Sequence, residues 1–305
     1  MPRTKQEHWP ESSERSDGSI TRMNIVIASG KGGTGKTMVA VNLGWSISQS
    51  KDVHLIDCDA EEPNVHLFFP GERSEKTVTV MVPEVDNEKC TLCGACGEFC
   101  RFGAISVLTK SVMFQPHLCH SCGGCQLACP EGAITEVPRK IGMIRQSQPS
   151  PSLTVISGII DEGEIAAPEV IKAAKEAGEW DGISVLDGPP GTACPVIETM
   201  EGADVCILVT ESTPSGLADL KRASRLAEAL GIPRGVVINR SDGDDGSTLA
   251  FCREEGLPIL MTIPFDREIA AIQNRGAILC VEKNEWEKQF FRLYEDAIAI
   301  AGGTR

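Results

Sequence analysis

MNIVIASGKGGTGKTMVAVNLGWSISQS, residues 23–50, decides the fold. It opens on a short apolar run, 23–29, which reads as a buried strand. A glycine-rich turn follows, and from Lys36 onward Val39, Leu43 and Ile47 recur at helical spacing. Gly30-Lys31-Gly32-Gly33-Thr34-Gly35-Lys36-Thr37 fills G-x-x-x-x-G-K-[ST] at every position, between a strand and a helix, the context this motif requires. Glycines let backbone N–H groups curl around phosphate oxygens, and the helix N-terminus adds its positive end. Lys36 is placed to reach the β- and γ-phosphates of a nucleoside triphosphate, and the Thr37 hydroxyl to ligate Mg²⁺.

Outward from this loop the strand–helix rhythm continues. VHLID (53–57) is the next strand, and LTVISG (153–158), GISVLD (182–187), DVCILVT (204–210), GVVIN (235–239) and LPILMTIP (257–264) carry the pattern on. Helical segments at 167–178, 216–231 and 284–300 lie between or after them. Near-continuous apolar strands alternating with helices imply a mostly parallel, doubly wound α/β sheet covered on both faces. Such sheets bind ligands at the carboxyl ends of their strands. Asp57 and Asp59 stand at one such end, Asp187 at another, and Asn239 with Arg240 at a third.

Between about 85 and 139 the rhythm breaks. CTLCGACGEFCRFGAI (90–105) aligns with CHSCGGCQLACPEGAI (119–134), sharing all four cysteines and the GAI ending. Cys90, Cys93, Cys96 and Cys100 form C-x₂-C-x₂-C-x₃-C; Cys119, Cys122, Cys125 and Cys129 repeat it, followed by Pro130. The expected organisation is an extension at 1–22, a discontinuous nucleotide-binding domain at 23–84 and 140–305, and an inserted cysteine domain at 85–139. C-x₂-C pairs also bind Zn²⁺, which is the chemical rival to iron here.

The string KGGTGKT, with a lysine directly after the first glycine, resembles the deviant phosphate loop of the MinD/ParA ATPases, which include the nitrogenase iron protein. The doubled cysteine run resembles two-cluster bacterial ferredoxins, in which the fourth cysteine of each run ligates the other cluster. Together they resemble MinD-type ATPases carrying an inserted ferredoxin domain. The resemblance implies ATP hydrolysis to ADP and phosphate, slow until dimerised or met by a partner. It implies an ATP-sandwiched homodimer in which Lys31 reaches the partner subunit's nucleotide. By the same resemblance Asp59 positions the attacking water and belongs to the Mg²⁺ site, Asp57 supports the Mg²⁺ shell, with the two roles exchangeable, and Asp187 binds Mg²⁺ through water. Asn239 and Arg240 would contact the adenine, with Pro264, Phe265 and Asp266 near the base. Cluster I would use Cys90, Cys93, Cys96 and Cys129, and cluster II Cys100, Cys119, Cys122 and Cys125. Arg101 departs from the pattern, which usually has Pro there. Cys194 falls seven residues after Asp187, near a cluster-bridging cysteine of the nitrogenase iron protein; the simpler expectation is a small buried residue. The C-P-x-C pair of cluster-scaffold ATPases is not present.

Composition is consistent with this reading. Aromatics are 5% of the chain, so the core must be mainly aliphatic. The net charge of −14 argues against a nucleic-acid partner and against anionic lipid. No apolar run suits a signal peptide or a membrane span, so a cytoplasmic location is expected. In that reducing compartment, 13 cysteines read as ligands and core residues rather than disulfides. Three roles are expected in turn: electron transfer gated by nucleotide with an unidentified redox partner, iron–sulfur cluster carriage, or MinD-like positioning.

Overall fold

Strand β1 (Met23–Ser29) sits in the interior of a nine-stranded sheet, next to its middle strand, and its residues from Ile25 onward are buried on both faces. The computed structural model describes residues 22–302, so the 1–22 extension lies, but for Arg22, outside the described residues. The remaining strands are β2 (Val53–Asp57), β3 (Ser74–Val85), β4 (Ile105–Val107), β5 (Val112–Phe114), β6 (Ile134–Ser150), β7 (Leu153–Ile160), β8 (Ile183–Pro190), β9 (Val205–Glu211), β10 (Arg234–Ser241) and β11 (Ile259–Pro264). The sheet order is β11-β10-β9-β1-β8-β2-β7-β6-β3, parallel from β11 to β7 and antiparallel at β6 and β3; β4 and β5 form a separate hairpin.

Helices cover both faces. They are α1 (Lys36–Ser48), α2 (Ala95–Phe99), α3 (Gly124–Ala128), α4 (Ala167–Ala177), α5 (Cys194–Met200), α6 (Pro214–Ala229), α7 (Gly246–Glu254), α8 (Arg267–Asn274), α9 (Leu279–Glu282) and α10 (Asn284–Gly302). One core joins α1, α8, α9 and α10 to the sheet through Leu43, Ile47, Ile272, Phe290 and Leu293. The opposite core joins α4 to α7 through Ile171, Met200, Leu220 and Phe251, and it includes Cys206, as its apolar strand implied. Helix α1 is buried over most of its surface, as a helix apolar nearly all round must be. It lies between the sheet and α10, whose residues Trp286, Phe290, Leu293 and Ala297 make the inward stripe.

The long pair β3–β6 is the main departure from the sequence reading. Twelve antiparallel residue pairs run from Ser74↔Gln146 to Val85↔Ile134, crossing both expected insert boundaries. Val78, Val80 and Val82 alternate inward, a period-two pattern interrupted by Pro83 and, on the partner strand, by Pro138. Prolines are tolerated here because β3 is an edge strand and β6 meets β7 only from Gly142 onward. Ile141 is an extra residue in the ladder, where the register shifts between Val78 and Thr79. Residues 134–140 therefore continue past the sheet as a two-stranded ribbon that carries the cysteine segment.

That segment has little apolar core of its own: Cys96, Ile105 and Ile134, with Val85, Val107, Val112 and Phe114 partly buried around them. Phe99, Phe102, Leu108, Met113, Leu118 and Leu127 are exposed. The repeat is visible in the backbone. Leu92 and Ser121 both take positive φ, as do Gly94 and Gly123, and α2 and α3 begin at equivalent places in the two copies.

Candidate functional site

Gly30 to Thr37 connect β1 to α1 at the carboxyl edge of the sheet, and two glycines there are required by space. A Cβ on Gly30 would overlap the backbone carbonyl of Asp219 in α6. Gly35 has φ of 93°, and a Cβ there would strike the Asn239 amide. Asn239 is buried, and its Nδ2 donates to the Thr34 carbonyl at 2.7 Å, so the end of β10 fixes the loop from behind. The Gly191 N–H donates to the Ser29 carbonyl at 3.1 Å, tying the loop after β8 to the same turn.

Lys36 points into this buried corner. Burial pushes its ammonium below the ordinary lysine range, against the pull of Asp187 and Asp59. Asp57 and Asp187 are register partners on neighbouring parallel strands, and both are buried. Burial holds the Asp57 carboxyl well above its usual range, and the nearby Asp187 charge adds to this. Asp187 is pushed up to about 7 by burial, despite the Thr37 hydroxyl bonded to it and the nearby Lys36. Asp59 is half-buried and is also raised by burial, with Lys36 opposing. Two adjacent buried acids beside one lysine resist ionising together without a further cation. Asp187 Oδ1 and Thr34 Oγ1 have no hydrogen-bond partner. An all-oxygen donor set of Thr37, Asp59 and Asp187, with an orphaned buried oxygen, suits a hard divalent cation next to phosphate.

Asp57 plays a different part. Its two oxygens accept from the backbone N–H groups of Asp59, at 3.2 Å, and Val65, at 3.0 Å. It shapes the loop that presents Asp59. Of the residues expected near a base, Arg240, Pro264 and Phe265 are exposed at the ends of β10 and β11. Asp266 caps α8, accepting from the Glu268 N–H at 2.6 Å. Lys31 is held within its own chain, with Nζ 3.4 Å from Glu211 Oε2 and 3.3 Å from Ser215 Oγ. Sequence reasoning missed Glu211, although it closes β9 at the same edge as Asp57 and Asp187; its place at a parallel strand's carboxyl end was the available signal.

The eight clustered cysteines divide between two cavities, and the fourth of each run crosses over. Cys100, Cys119, Cys122 and Cys125 line a cavity of about 480 Å³ together with Phe99, Phe102 and His120. Cys90, Cys93, Cys96 and Cys129 line a second, narrow cleft of about 10 Å³ with Val85 and Ile134. Backbone N–H groups reach sulfur at Ser121→Cys119 (3.4 Å) and Ala133→Cys129 (3.3 Å). Burial raises the Cys100 thiol, but four backbone N–H groups, from Phe102 to Ile105, outweigh it and leave the thiol below its ordinary value. Among the described residues, no group of three or more His, Cys, Asp or Glu is arranged to hold a single metal ion. Cys194 corrects the expectation of a buried residue: it is exposed at the start of α5, because the Gly191–Ala193 turn lifts it away from the core.

Comparison with known proteins agrees with the nucleotide-binding half. An uncharacterized protein of Methanocaldococcus jannaschii is 29% identical over 277 residues, covering 90% of this chain and 95% of the relative. An iron-sulfur cluster carrier protein of Aquifex aeolicus is 26% identical over 284 residues, covering 86% of this chain but 63% of that relative. Among solved structures, the septum site-determining protein MinD of Pyrococcus horikoshii, complexed with Mg-ADP, shares the fold. Its TM-score is 0.57 at 22% identity, covering 93% of this chain and 99% of that one. No helix among the described residues is long and apolar enough to cross a membrane. Residues 25–279 match the CobQ/CobB/MinD/ParA nucleotide binding domain, and the chain belongs to that family.

Proposed function

We propose that this protein is an ATP-hydrolysing iron–sulfur protein that acts as a nucleotide-dependent homodimer. In it, nucleotide state controls one-electron transfer through two [4Fe–4S] clusters to a redox partner. The observation that carries this reading is the crossed division of eight thiols into two cavities. A tetrahedral zinc–thiolate site brings its sulfurs to within about 3.8 Å of one another, from Zn–S bonds of about 2.3 Å. Four thiols spread around one open cavity suit a cubane instead. The narrower cleft has to widen on loading. The scarcity of apolar core points the same way, since a segment this small needs a metal or disulfides to hold it. Bound clusters would supply low-potential one-electron chemistry.

At the nucleotide, Lys36 and the loop amides neutralise phosphate charge. Thr37 and Asp187, with Asp59, would hold Mg²⁺, which would supply positive charge beside the γ-phosphoryl group. Asp59 orients the attacking water, and Asp57 keeps the Asp59 loop in shape. Coupling has a physical route. Ile160 donates to the Ala60 carbonyl beside Asp59 at 3.0 Å, and Asp161 donates to the bulged Ile141 carbonyl at 2.8 Å. Arg139, two residues before that bulge, is gripped by Glu164 at 2.5 and 2.8 Å and acts electrostatically on Cys119.

Anaerobic purification should return about eight iron and eight acid-labile sulfide per chain. Redox titration with ADP and with a non-hydrolysable ATP analogue should then differ for at least one cluster. Stoichiometric zinc without iron would sink the cluster reading; identical potentials and oxidation rates in both nucleotide states would sink the coupling. Cluster carriage is the second reading, favoured by the exposed Cys194 and by the carrier relatives. It expects additional labile iron that is lost in Cys194→Ala.

A further inference from the structure

Glu211 ends β9 with its side chain only 16% exposed, and its two carboxylate oxygens serve two different cations. Oε2 lies 3.4 Å from Lys31 Nζ in the phosphate loop, and Oε1 lies 2.6 Å from Arg240 Nη1 in the last residues of β10. Arg240 has a left-handed backbone with φ of 54°, and Asn239 Oδ1 accepts its N–H at 2.9 Å. Asn239 in turn holds the phosphate loop through Thr34. Lys31 has one more acceptor, Ser215 Oγ at 3.3 Å, just inside α6. Ser215 Oγ lies 3.2 Å from Thr213 Oγ1, and Thr213 caps the helix.

We propose that Glu211 is a latch that keeps Lys31 in its own subunit until a second copy of this chain presents a triphosphate. The proposal rests on the reading of Lys31 as an intermolecular residue. An ammonium already paired with a carboxylate and a hydroxyl must leave both before it can reach across a dimer seam. Release is inexpensive for a specific reason: when Lys31 departs, Glu211 keeps Arg240 as its charge partner, so no carboxylate is left unpaired. The pair is partly solvated and not tight, so a polyphosphate with several negative charges outcompetes it. Lys31 is thereby withheld from the seam until ATP is present on the partner, which limits dimerisation without nucleotide. Glu211 is a positioning residue in this scheme, since it acts through Lys31.

The test is sedimentation velocity of the full, cluster-loaded chain with a non-hydrolysable ATP analogue over a series of protein concentrations. Glu211→Gln should form the nucleotide-dependent dimer at about 3- to 10-fold lower protein concentration, with monomer affinity for the analogue unchanged within about twofold. Ser215→Ala, a milder change that removes the other acceptor, should shift the dimer the same way by a smaller factor. In a Lys31→Ala background, Glu211→Gln should have no effect on assembly. A weaker or unchanged dimer in both Glu211→Gln and Ser215→Ala, while Lys31→Ala still abolishes dimerisation, overturns the latch and leaves the intermolecular lysine standing. If Glu211→Gln does not fold, Ser215→Ala decides alone. A dimer of wild-type strength in Lys31→Ala overturns the intermolecular reading itself, and the latch with it.

Discussion

The nucleotide half and the cysteine half of this molecule obtain their shape in opposite ways. Around β1, β2 and β8 the scaffold comes first: two aliphatic cores clamp the sheet, and the charged site rides on strand ends that packing has already fixed. Between β3 and β6 the cysteines proposed as ligands are themselves most of what the segment has to fold around, with Cys96, Ile105 and Ile134 its only buried apolar residues outside the alanines and glycines. Removing a ligand should therefore have different consequences in the two halves. In the first it abolishes a function, and in the second it abolishes a structure.

The largest effect expected is loss of the cysteine segment with its metal. Chelating the iron anaerobically should cost residues 90–133 at least about 4 kcal/mol of local stability, read as lost amide protection. Amides of β1 and β8 should keep theirs. If the segment stays protected without metal, the two halves do not differ in kind. Lys36→Ala makes the converse test. It should abolish the thermal stabilisation given by saturating Mg-ATP, about 2.7 kcal/mol at a hundredfold excess over Kd, while the iron–sulfur absorbance is unchanged.

Asp187→Asn sharpens the contrast further. In the ligand-free protein it relieves the pressure of two adjacent buried acids and should raise stability by about 1–2 kcal/mol, measured in urea at neutral pH, while Mg-ATP no longer stabilises the protein. A destabilised variant would mean that Asp187 holds structure rather than a cation. The smallest effect concerns the junction. Arg139→Gln removes a positive charge that acts on Cys119, so cluster II should become harder to reduce by about 20–60 mV, at most about 1.4 kcal/mol for a one-electron couple. An unchanged potential would confine Arg139 to bracing the ribbon through Glu164.

Both motifs were legible in the sequence because each is a local pattern. The phosphate loop occupies eight consecutive positions, and each cysteine run spans one turn of chain and a short helix, repeated at a fixed offset. The central strands were legible because burial on both faces leaves a continuous apolar run. The β3–β6 ribbon was not, since Pro83, Pro138 and alternating charges mask a pairing that only the register between distant segments creates. Glu211 was hidden for a related reason: one acid at a strand end means little until Lys31 and Arg240 are brought to it from 180 and 29 residues away. Asp57 was visible as a residue, but its work on the Asp59 and Val65 amides belongs to a loop that no periodicity describes.

The ribbon has one more consequence, a mechanical one. Residues 134–140 extend about 20 Å beyond the last contact with β7, at roughly 3.3 Å per residue, with Val137 and the facing Val82 resting on the second core. Its root is braced where the Asp161 N–H meets the bulged Ile141 and where Glu164 grips Arg139. A stiff arm pivoting at such a root multiplies displacement: a tilt of about 5° would carry its tip through about 2 Å, a hinge-type motion small at its origin. Any process at the tip that depends on distance, above all the hop of an electron to another protein, would then feel a movement that is barely measurable in the loop beside Asp59.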